Sequence, residues 1–389
     1  MHPAQVTSEG ALRELVRRLA GASEIALDCE FQGEGRYHPK LCLVQLAFGT
    51  ELCVLDPNRL DLTALAPLLE GEHPAKVLHD GRQDLPILAR AAGVRAIRGV
   101  FDTQIAAAFA GDGGSIGYGA LVRDVCGVEL DKSLQVSDWT RELSDAQIEY
   151  ALDDVRHLSA VATDLRARLE GNGRLAWAEA ACAEAALRAL ATPEPDKLYR
   201  RVGSTGRLGE RELGVLREVA KWRDRVAEAI DKPLTTVAND LALKSIALQP
   251  PRDLRALEAV RGLGAGRSQP WARELLEAVA LGVATPEPVR TPPSREREST
   301  LDGLVSVLGL ARRFVAIREG IAAEVLADQP DLRALCEWHL DGRPEGASLG
   351  VLGGWRRTIL GELLLDALAG KIAFRADAAS AVGIDLVRG

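Results

Sequence analysis

The sequence lacks any long apolar run and any closely paired cysteines. A membrane-spanning helix needs about 20 consecutive apolar residues, so a transmembrane protein is excluded. The opening MHPAQVTSEG has no signal-peptide pattern. The six cysteines are scattered without a CxxC pair, which argues against a zinc site and against a disulfide framework. Together these absences predict a cytoplasmic protein that does not associate with membranes.

A uniform excess of positive charge is also missing. The 389 residues carry a net charge of -8, which by itself argues against binding to nucleic acid. However, residues 197–280 hold 16 Lys or Arg and 11 Asp or Glu, a balance of +5, which leaves -13 for the remainder. The distribution therefore predicts one basic module attached to acidic surroundings.

The first 160 residues alternate between strand and helix patterns. Apolar stretches at 24–31, 41–48 and 51–56 predict strands, and the intervening GEGRYHPK predicts a hairpin between the first two. Further patterns predict a helix at 61–71, a strand at 75–80, a helix at 85–93 and a strand running into a helix at 99–111. This mixture indicates a mixed sheet flanked by helices.

Beyond about residue 160 the strand signal disappears and helical patterns dominate. Breakers rich in proline and charge, ATPEPDK and ATPEPVRTPPSREREST, interrupt these patterns. We expect an α/β domain at 1–195, a helical domain at 205–283, a linker at 284–300 and a second helical domain at 301–389.

Two acids, Asp28 and Glu30, close the first predicted strand. Residues two apart on a strand point to the same face, so the two carboxylates project together and repel each other unless a cation bridges them. Hard divalent cations such as Mg²⁺ and Mn²⁺ prefer oxygen ligands of this kind. The alternative is a pair of solvated acids at a strand end.

Two further stretches offer acids. In EYALDDVRHL, Tyr150 and Asp154 are four residues apart and lie on one face of a helix, although a core tyrosine beside a surface acid would look the same. In KVLHDGRQDLPIL, either Asp80 or Asp84 could be a ligand. Asp80 sits in the turn, where it could cap the helix, so Asp84 is the preferred candidate.

These three stretches resemble the motifs of the DEDD exonuclease superfamily, in its tyrosine-containing branch. RYHPKLCLVQLA, FDTQIAA and DKSLQVSDWTRELSDAQIEYALDDVRHL are similar to characteristic stretches of the ribonuclease D family. The resemblance implies a ribonuclease H-like mixed-sheet 3′→5′ exonuclease domain followed by two small helical HRDC-type domains, a multidomain α/β plus all-α architecture.

The same resemblance implies roles for individual residues. Two divalent ions, Mg²⁺ or Mn²⁺, would be held by four acids, and a tyrosine would position the attacking water. A histidine and a further acid have supporting positions, with a satisfied core histidine and a helix cap as the alternatives. A lysine could contact substrate phosphate or be an ordinary surface lysine. These residues are the ligands Asp28, Glu30, Asp84 and Asp154, the tyrosine Tyr150, the supporting His79 and Asp102, and the substrate contact Lys132.

The basic module resembles an HRDC domain, most clearly in WRDRVAEAIDKPLTTVANDLAL. HRDC domains are associated with nucleic-acid binding, and the local charge of +5 supports that role here. A solvated helix face is the alternative explanation for each cation. Residues 301–369 resemble a second, weaker copy, or else a helical packing domain without RNA contact. The candidate phosphate contacts of the first module are Arg217, Lys221, Arg223 and Arg225.

We therefore expect a 3′→5′ exoribonuclease that releases nucleoside 5′-monophosphates from RNA 3′ ends. The resemblance implies precursor tRNA as substrate and no organic cofactor. A DNA-directed 3′→5′ exonuclease in repair or proofreading is the first alternative. A catalytically inactive nucleic-acid-binding protein is the second.

Overall fold

The computed structural model divides the chain into two compact units. Unit 1 comprises Met1–Glu30, Leu41–Leu190 and Pro293–Gly389, and unit 2 comprises Phe31–Lys40 and Ala191–Pro292. The description covers residues 4–131, 134, 137–203, 208–268, 270–289, 294–380 and 383–388. In that part of the chain, every helix is too short or too polar to cross a lipid bilayer.

A six-stranded mixed sheet forms the centre of unit 1, with strand order β1-β4-β3-β2-β5-β6. The pairs β1–β4, β2–β5 and β5–β6 are parallel, whereas β3 and β4 are antiparallel. The strands are β1 (Ala4–Val6), β2 (Glu24–Gln32), β3 (Lys40–Phe48), β4 (Glu51–Leu55), β5 (Ala75–Leu78) and β6 (Val100–Asp102).

The predicted mixed sheet is confirmed, because each predicted strand has a counterpart within one or two residues. Strand β3 is buried along its whole interior, as expected for a strand covered on both faces. Strand β1 and the helix after it were not predicted. Three residues are too few for a periodic signal, and β1 exists because it pairs with β4 at the sheet edge.

Helices cover the sheet, and their apolar residues form the core of unit 1. The helices of the first 190 residues are α1 (Glu9–Leu19), α2 (Ala66–Glu70), α3 (Asp84–Ala92), α4 (Thr103–Ala110), α5 (Tyr118–Cys126), α6 (Asp145–Arg156), α7 (Leu158–Gly171) and α8 (Leu175–Leu190).

The last part of the chain packs into the same hydrophobic core. The ring of Trp355 meets that of Phe109 edge-on at 5.0 Å between centroids, and the Ala322 N–H donates to the Ala108 carbonyl at 3.0 Å. Helix α14 begins at Arg295, inside the stretch predicted as a linker. The helices here are α14 (Arg295–Glu319), α15 (Ala323–Leu326), α16 (Gln329–Leu340), α17 (Gly354–Arg356), a π-helical turn (Arg357–Gly361) and α18 (Glu362–Leu368).

One expectation for this segment was wrong, since helix was predicted from residue 301 to the end. Strands β7 (Ile372–Ala376) and β8 (Ile384–Arg388) instead form an antiparallel hairpin. Their sequences IAFRA and IDLVR contain β-branched and aromatic residues, but each is only five residues long. Pairing between the two, rather than a strong local signal, defines them.

Unit 2 is helical and has its own apolar core around Trp222. Helix α11 begins at an N-cap, Asn239, whose side chain accepts the Ala242 N–H. The helices are a 3₁₀ helix (Pro195–Arg201), α9 (Glu210–Ala229), α10 (Leu234–Val237), α11 (Asp240–Leu248), α12 (Leu254–Glu258) and α13 (Trp271–Ala284).

The turn between β2 and β3 belongs to unit 2 because acids at the end of α9 bind it. Asp231 accepts the Tyr37 N–H at 3.2 Å, and the Tyr37 hydroxyl donates to Asp224 at 2.9 Å. The ring of His38 lies 3.0 Å from Glu228. The strand that carries Asp28 and Glu30 therefore continues directly into a turn fastened by three acids.

Two glycines allow α9 and α13 to approach closely. A Cβ on Gly282 would lie 2.5 Å from the Val215 Cα, and one on Gly214 would lie 2.6 Å from the Gly282 carbonyl oxygen. Real Cβ atoms do not tolerate such distances, so the two helices pack only with glycine at both positions.

We predict that Gly282→Ala lowers the free energy of unfolding by about 2 kcal/mol, because the added methyl group forces the helices apart. The matched control is Gly303→Ala in α14, where a Cβ meets nothing within 4 Å. This control is expected to be neutral or to stabilise by up to about 1 kcal/mol. Denaturant unfolding of the full chain, followed by circular dichroism, measures both. Equal stabilities for the two variants would contradict the close-packing explanation.

Candidate active site

Strand β2 carries two of the predicted acids, Asp28 and Glu30, side by side on one face. Its first half buries Ile25, Ala26 and Leu27, and the alternation then leaves Asp28 and Glu30 partly accessible on one face. Cys29, between them, is buried on the opposite face. The apolar half anchors the strand, so the two carboxylates have little freedom to move apart.

Helix α6 brings the third acid. A capping box formed by Ser144 and Gln147 fixes its start, and its apolar face is buried. Asp154 follows Tyr150 by four residues and therefore lies on the same side. Asp153 points elsewhere and binds Arg156 at 2.7 Å, as the helical periodicity predicts.

The carboxylates of Asp28, Glu30 and Asp154 converge, with one oxygen of each lying within 4.8 Å of the others. Three acids this close oppose one another's ionisation. Burial, and then the charge of Asp154, raises the pKa of Glu30 to about 8. Burial raises the pKa of Asp154 to about 6, with help from Asp153. The pKa of Asp28 is raised well above its usual range by burial and by the neighbouring acids.

Asp84 lies in the first turn of α3, where the helix dipole favours a negative charge. It stands outside the three-acid cluster, yet its charge contributes to the raised pKa values of Asp28 and Glu30. Burial raises the pKa of Asp84 itself to about 7. Asp80 does not cap α3: its carboxylate binds Arg82 at 2.6 and 3.0 Å.

Asp102 is buried and organises the turn in front of Asp84. Its carboxylate accepts the N–H groups of Asp80 and Gly81 at 3.1 and 3.0 Å. It also caps α4 by accepting the Gln104 N–H at 2.9 Å. The helix cap considered from the sequence is therefore present, and the supporting role at the active site stays a prediction. Burial raises the pKa of Asp102, and these backbone donors oppose the rise.

The ring of His79 is held by a hydrogen bond to the side chain of Thr103. Its Nδ1 lies 2.9 Å from the Thr103 hydroxyl, which donates to the Leu78 carbonyl at 3.0 Å. The hydroxyl therefore accepts from His79, which fixes the Nδ1–H tautomer. Burial lowers the pKa of His79, opposed by the charges of Asp102 and Asp80. These contacts satisfy Nδ1 only, since the buried Nε2 has no hydrogen-bond partner among the described residues, and the supporting role of His79 stays a prediction.

Sequence reasoning did not identify Tyr118, a residue of α5 whose hydroxyl contacts the backbone at the end of α6. Its hydroxyl donates to the Asp153 carbonyl at 3.2 Å and accepts the His157 N–H at 3.3 Å. The tyrosine thereby fixes the end of α6 next to Asp154. The surrounding GDGGSIGYGA is rich in glycine but lacks the GK[ST] ending of a phosphate loop, and no local signal marks this tyrosine.

The remaining predicted residues are the candidate phosphate contacts. Lys132 falls outside the described residues. Arg223 was wrongly predicted to contact phosphate: its side chain is buried, and it donates to Asp240 and to the Ala238 carbonyl. Helix α9 packs along its length in the core of unit 2, so the residue faces inward.

Arg217, Lys221 and Arg225 each bind an acid. Arg217 is mostly buried between Glu218 and Glu287. Lys221 bridges Asp196 and Glu218 at 2.8 and 2.7 Å. Arg225 pairs with Glu274. Their role as phosphate contacts stays a prediction.

The chain also matches known families and proteins. A family model described as 3′-5′ exonuclease matches residues 3–170, and the HRDC domain model matches residues 212–279. Ribonuclease D of Gluconacetobacter diazotrophicus is 35% identical over 381 residues, covering 96% of this chain and 95% of that protein. Ribonuclease D of Acidiphilium cryptum is 35% identical and covers 99% and 97%.

A solved structure agrees with these sequence matches. Escherichia coli RNase D, described as an exoribonuclease involved in structured RNA processing, superposes with a TM-score of 0.83 at 29% identity, covering 95% of this chain and 99% of that one. The match spans both the exonuclease and the helical parts, so the predicted fold class is confirmed. With its sequence relatives and its fold in agreement over nearly the whole length, the chain belongs to the ribonuclease D family of 3′→5′ exoribonucleases.

Proposed function

We propose that this chain removes nucleotides one at a time from RNA 3′ ends by two-metal hydrolysis and releases nucleoside 5′-monophosphates. The observation that supports the proposal most directly is the convergence of Asp28, Glu30 and Asp154 within 4.8 Å. Ionised acids from one strand and one distant helix repel one another at this distance, and a bound cation relieves that repulsion.

The donor set fits hard divalent ions. Carboxylate oxygens are the ligands that Mg²⁺ and Mn²⁺ prefer, and four acids nearly neutralise two dications. Asp28, Glu30, Asp84 and Asp154 would hold the metal. When bound, such ions acidify water and stabilise the charge that develops around phosphorus. The chain's part is to place these four carboxylates around the reacting phosphate.

Tyr150 is suited to orienting the attacking water rather than deprotonating it. Burial, and then the charges of Asp154, Glu30 and Asp28, raises the pKa of Tyr150 to about 12. Its hydroxyl therefore stays protonated at neutral pH and can donate or accept a hydrogen bond. Its ring lies 6.3 Å from that of Trp139, a buried neighbour that limits its movement.

We further propose precursor tRNA 3′ ends as the substrate class and the cytoplasm as the location. Support comes from the shared name ribonuclease D of the relatives and from the role in structured RNA processing given for the Escherichia coli protein. A DNA-directed exonuclease and an inactive binding protein are the alternatives that the next experiment separates.

We predict that the protein with Mg²⁺ or Mn²⁺ shortens a 5′-labelled RNA strand faster than the matching DNA strand, with nucleoside 5′-monophosphates as products. Gel electrophoresis of the strands and chromatography of the products measure this. Asp28→Asn should lower the rate more than about 100-fold while RNA binding persists, because the neutral amide replaces one ligand oxygen with an NH₂ group and removes the negative charge. Preferred DNA cleavage would support the DNA alternative. No cleavage by the unaltered protein would support the inactive one.

The raised pKa values predict that the metal-free protein loses stability as pH rises. The folded-state pKa values of Asp154, Asp84 and Glu30, about 6, 7 and 8, lie above ordinary values near 4. The folded state therefore binds more protons than the unfolded state between about pH 4 and pH 8, and stability falls across that interval. We expect the Tm to fall by about 5 °C from pH 5.5 to pH 8.

Two comparisons isolate the acid cluster as the cause. Mn²⁺ should restore the Tm at pH 8, and Asp28→Asn should shrink both the pH effect and the Mn²⁺ effect. Asp302→Asn removes an exposed acid of α14 and serves as the control. If the Tm of both variants changes with pH as much as the Tm of the unaltered protein does, the acid cluster is not the cause of the pH dependence.

We predict that Tyr150→Phe lowers kcat about 100-fold, because the water loses its orienting hydroxyl. Calorimetric Mn²⁺ affinity should stay unchanged, since the four carboxylates remain. Tyr199→Phe, which removes a phenol hydroxyl from unit 2, is the matched control and should keep full activity. A loss of Mn²⁺ binding in Tyr150→Phe would show that the tyrosine acts on the metal site instead.

A further inference from the structure

The positive charge of unit 2 does not lie on α9, where sequence reasoning placed its phosphate contacts. Helix α9 carries five cations and five acids, so its net charge is zero. Residues 232–267, which contain α10, α11 and α12, carry six cations and three acids. The positive excess of residues 197–280 therefore lies outside α9: residues 197–209 carry four cations and no acid, and residues 232–267 carry a local excess of three.

A groove beside α9 is also acidic. It has a volume of about 740 Å³, and its two cations, Lys221 and Arg225, are both paired with acids. Phosphate groups entering it would meet a net charge of -3, which is repulsive. The acids that line it are Glu218, Asp224, Glu228, Glu274 and Glu277.

Residues 241–255, here called the basic–apolar segment, combine exposed leucines with cations. Leu241 is 76% exposed and Leu248 is 58% exposed, both on α11. Leu241, Lys244 and Leu248 are spaced three and four apart, so they share one face of the helix. The link from α11 to α12 and the start of α12 add Arg252, Leu254 and Arg255. Such exposure of leucine indicates a contact surface rather than a solvated face.

The acids near this segment are already engaged. Asp240 binds Arg223 at 2.7 Å, and Asp253 caps α12 by accepting the Ala256 N–H at 2.8 Å. In contrast, within the described chain, the cations of the segment form no ion pair at 4 Å or less. These cations are Lys244, Arg252 and Arg255.

We propose that the basic–apolar segment binds unpaired RNA, with phosphates on the three cations and bases or riboses against the leucines. Paired RNA keeps its bases stacked inside the helix and would offer the leucines nothing apolar, whereas single strands expose both chemistries. The inference rests on the proposed action on RNA and adds the surface and the strand state that this chain recognises.

The charges are tested with the triple variant Lys244→Gln, Arg252→Gln, Arg255→Gln. In metal-free buffer, fluorescence anisotropy measures binding of the full chain to an oligoadenylate of about 20 nucleotides at several salt concentrations. The slope of log affinity against log salt should fall by about 2, because about 0.7 counterions are released per phosphate of a single strand. An unchanged slope would overturn the proposal.

The leucines are tested with Leu241→Ser, Leu248→Ser. Affinity for the single strand should fall about fivefold without a change in salt slope, since no charge is removed. Affinity for a duplex of the same length should stay the same. If both RNAs bind as tightly as to the unaltered protein, the leucines do not contact RNA and their partner is another protein surface.

Matched controls separate these effects from general ones. Arg13→Gln, Arg90→Gln, Arg95→Gln removes three exposed charges from unit 1, and Leu281→Ser removes an exposed leucine of the acidic groove. Both should bind RNA normally, and thermal melting checks that every variant is folded. Cleavage of an RNA of about five nucleotides tests the nuclease activity independently. If the protein binds RNA but does not cleave it, the proposed nuclease function fails and the binding surface stands. If the protein cleaves RNA but the variants bind RNA normally, the binding surface fails and the nuclease function stands.

Discussion

The structure depends on holding partly buried carboxylates together against their mutual repulsion. Strand β2 supplies two of them and α6 supplies a third, and the apolar residues of both elements are buried in the same unit. The raised pKa values of Glu30 and Asp154 express the electrostatic cost of this arrangement. Packing of the sheet against its helices offsets that cost.

The elements around the cluster are fixed by contacts to backbone rather than to the reacting acids. Asp102 orders the turn that precedes Asp84, and Tyr118 orders the end of α6 beside Asp154. Asp102 is as buried as any acid in the unit, but several backbone N–H groups surround it. Among the described residues, no comparable set of backbone donors surrounds the acids of the cluster.

In unit 2, different parts of the chain carry the cations that stabilise the fold and those proposed to contact RNA. Along α9 the cations serve the fold, since Arg223 is buried and Arg217 is held between two acids. Acids at the end of the same helix bind the turn that continues from β2. Lys244, Arg252 and Arg255 lie after α9, near exposed leucines, and form no ion pair within the described chain. A module with a modest positive total can thus present a strongly basic surface over a short stretch.

Local sequence patterns were enough to predict strands β2 to β6, the acids near the end of β2, the position of Tyr150 and Asp154 on one helix face, and the HRDC module, because strand alternation, helical periodicity and motif spacing are local. The sequence could not decide which cations are free, since Arg223 looks like a surface residue until its helix packs. Nor could it find Tyr118, β1 or the final hairpin, each of which is defined by partners distant along the chain. Tertiary structure alone decided these, because burial and pairing depend on contacts that no local pattern encodes.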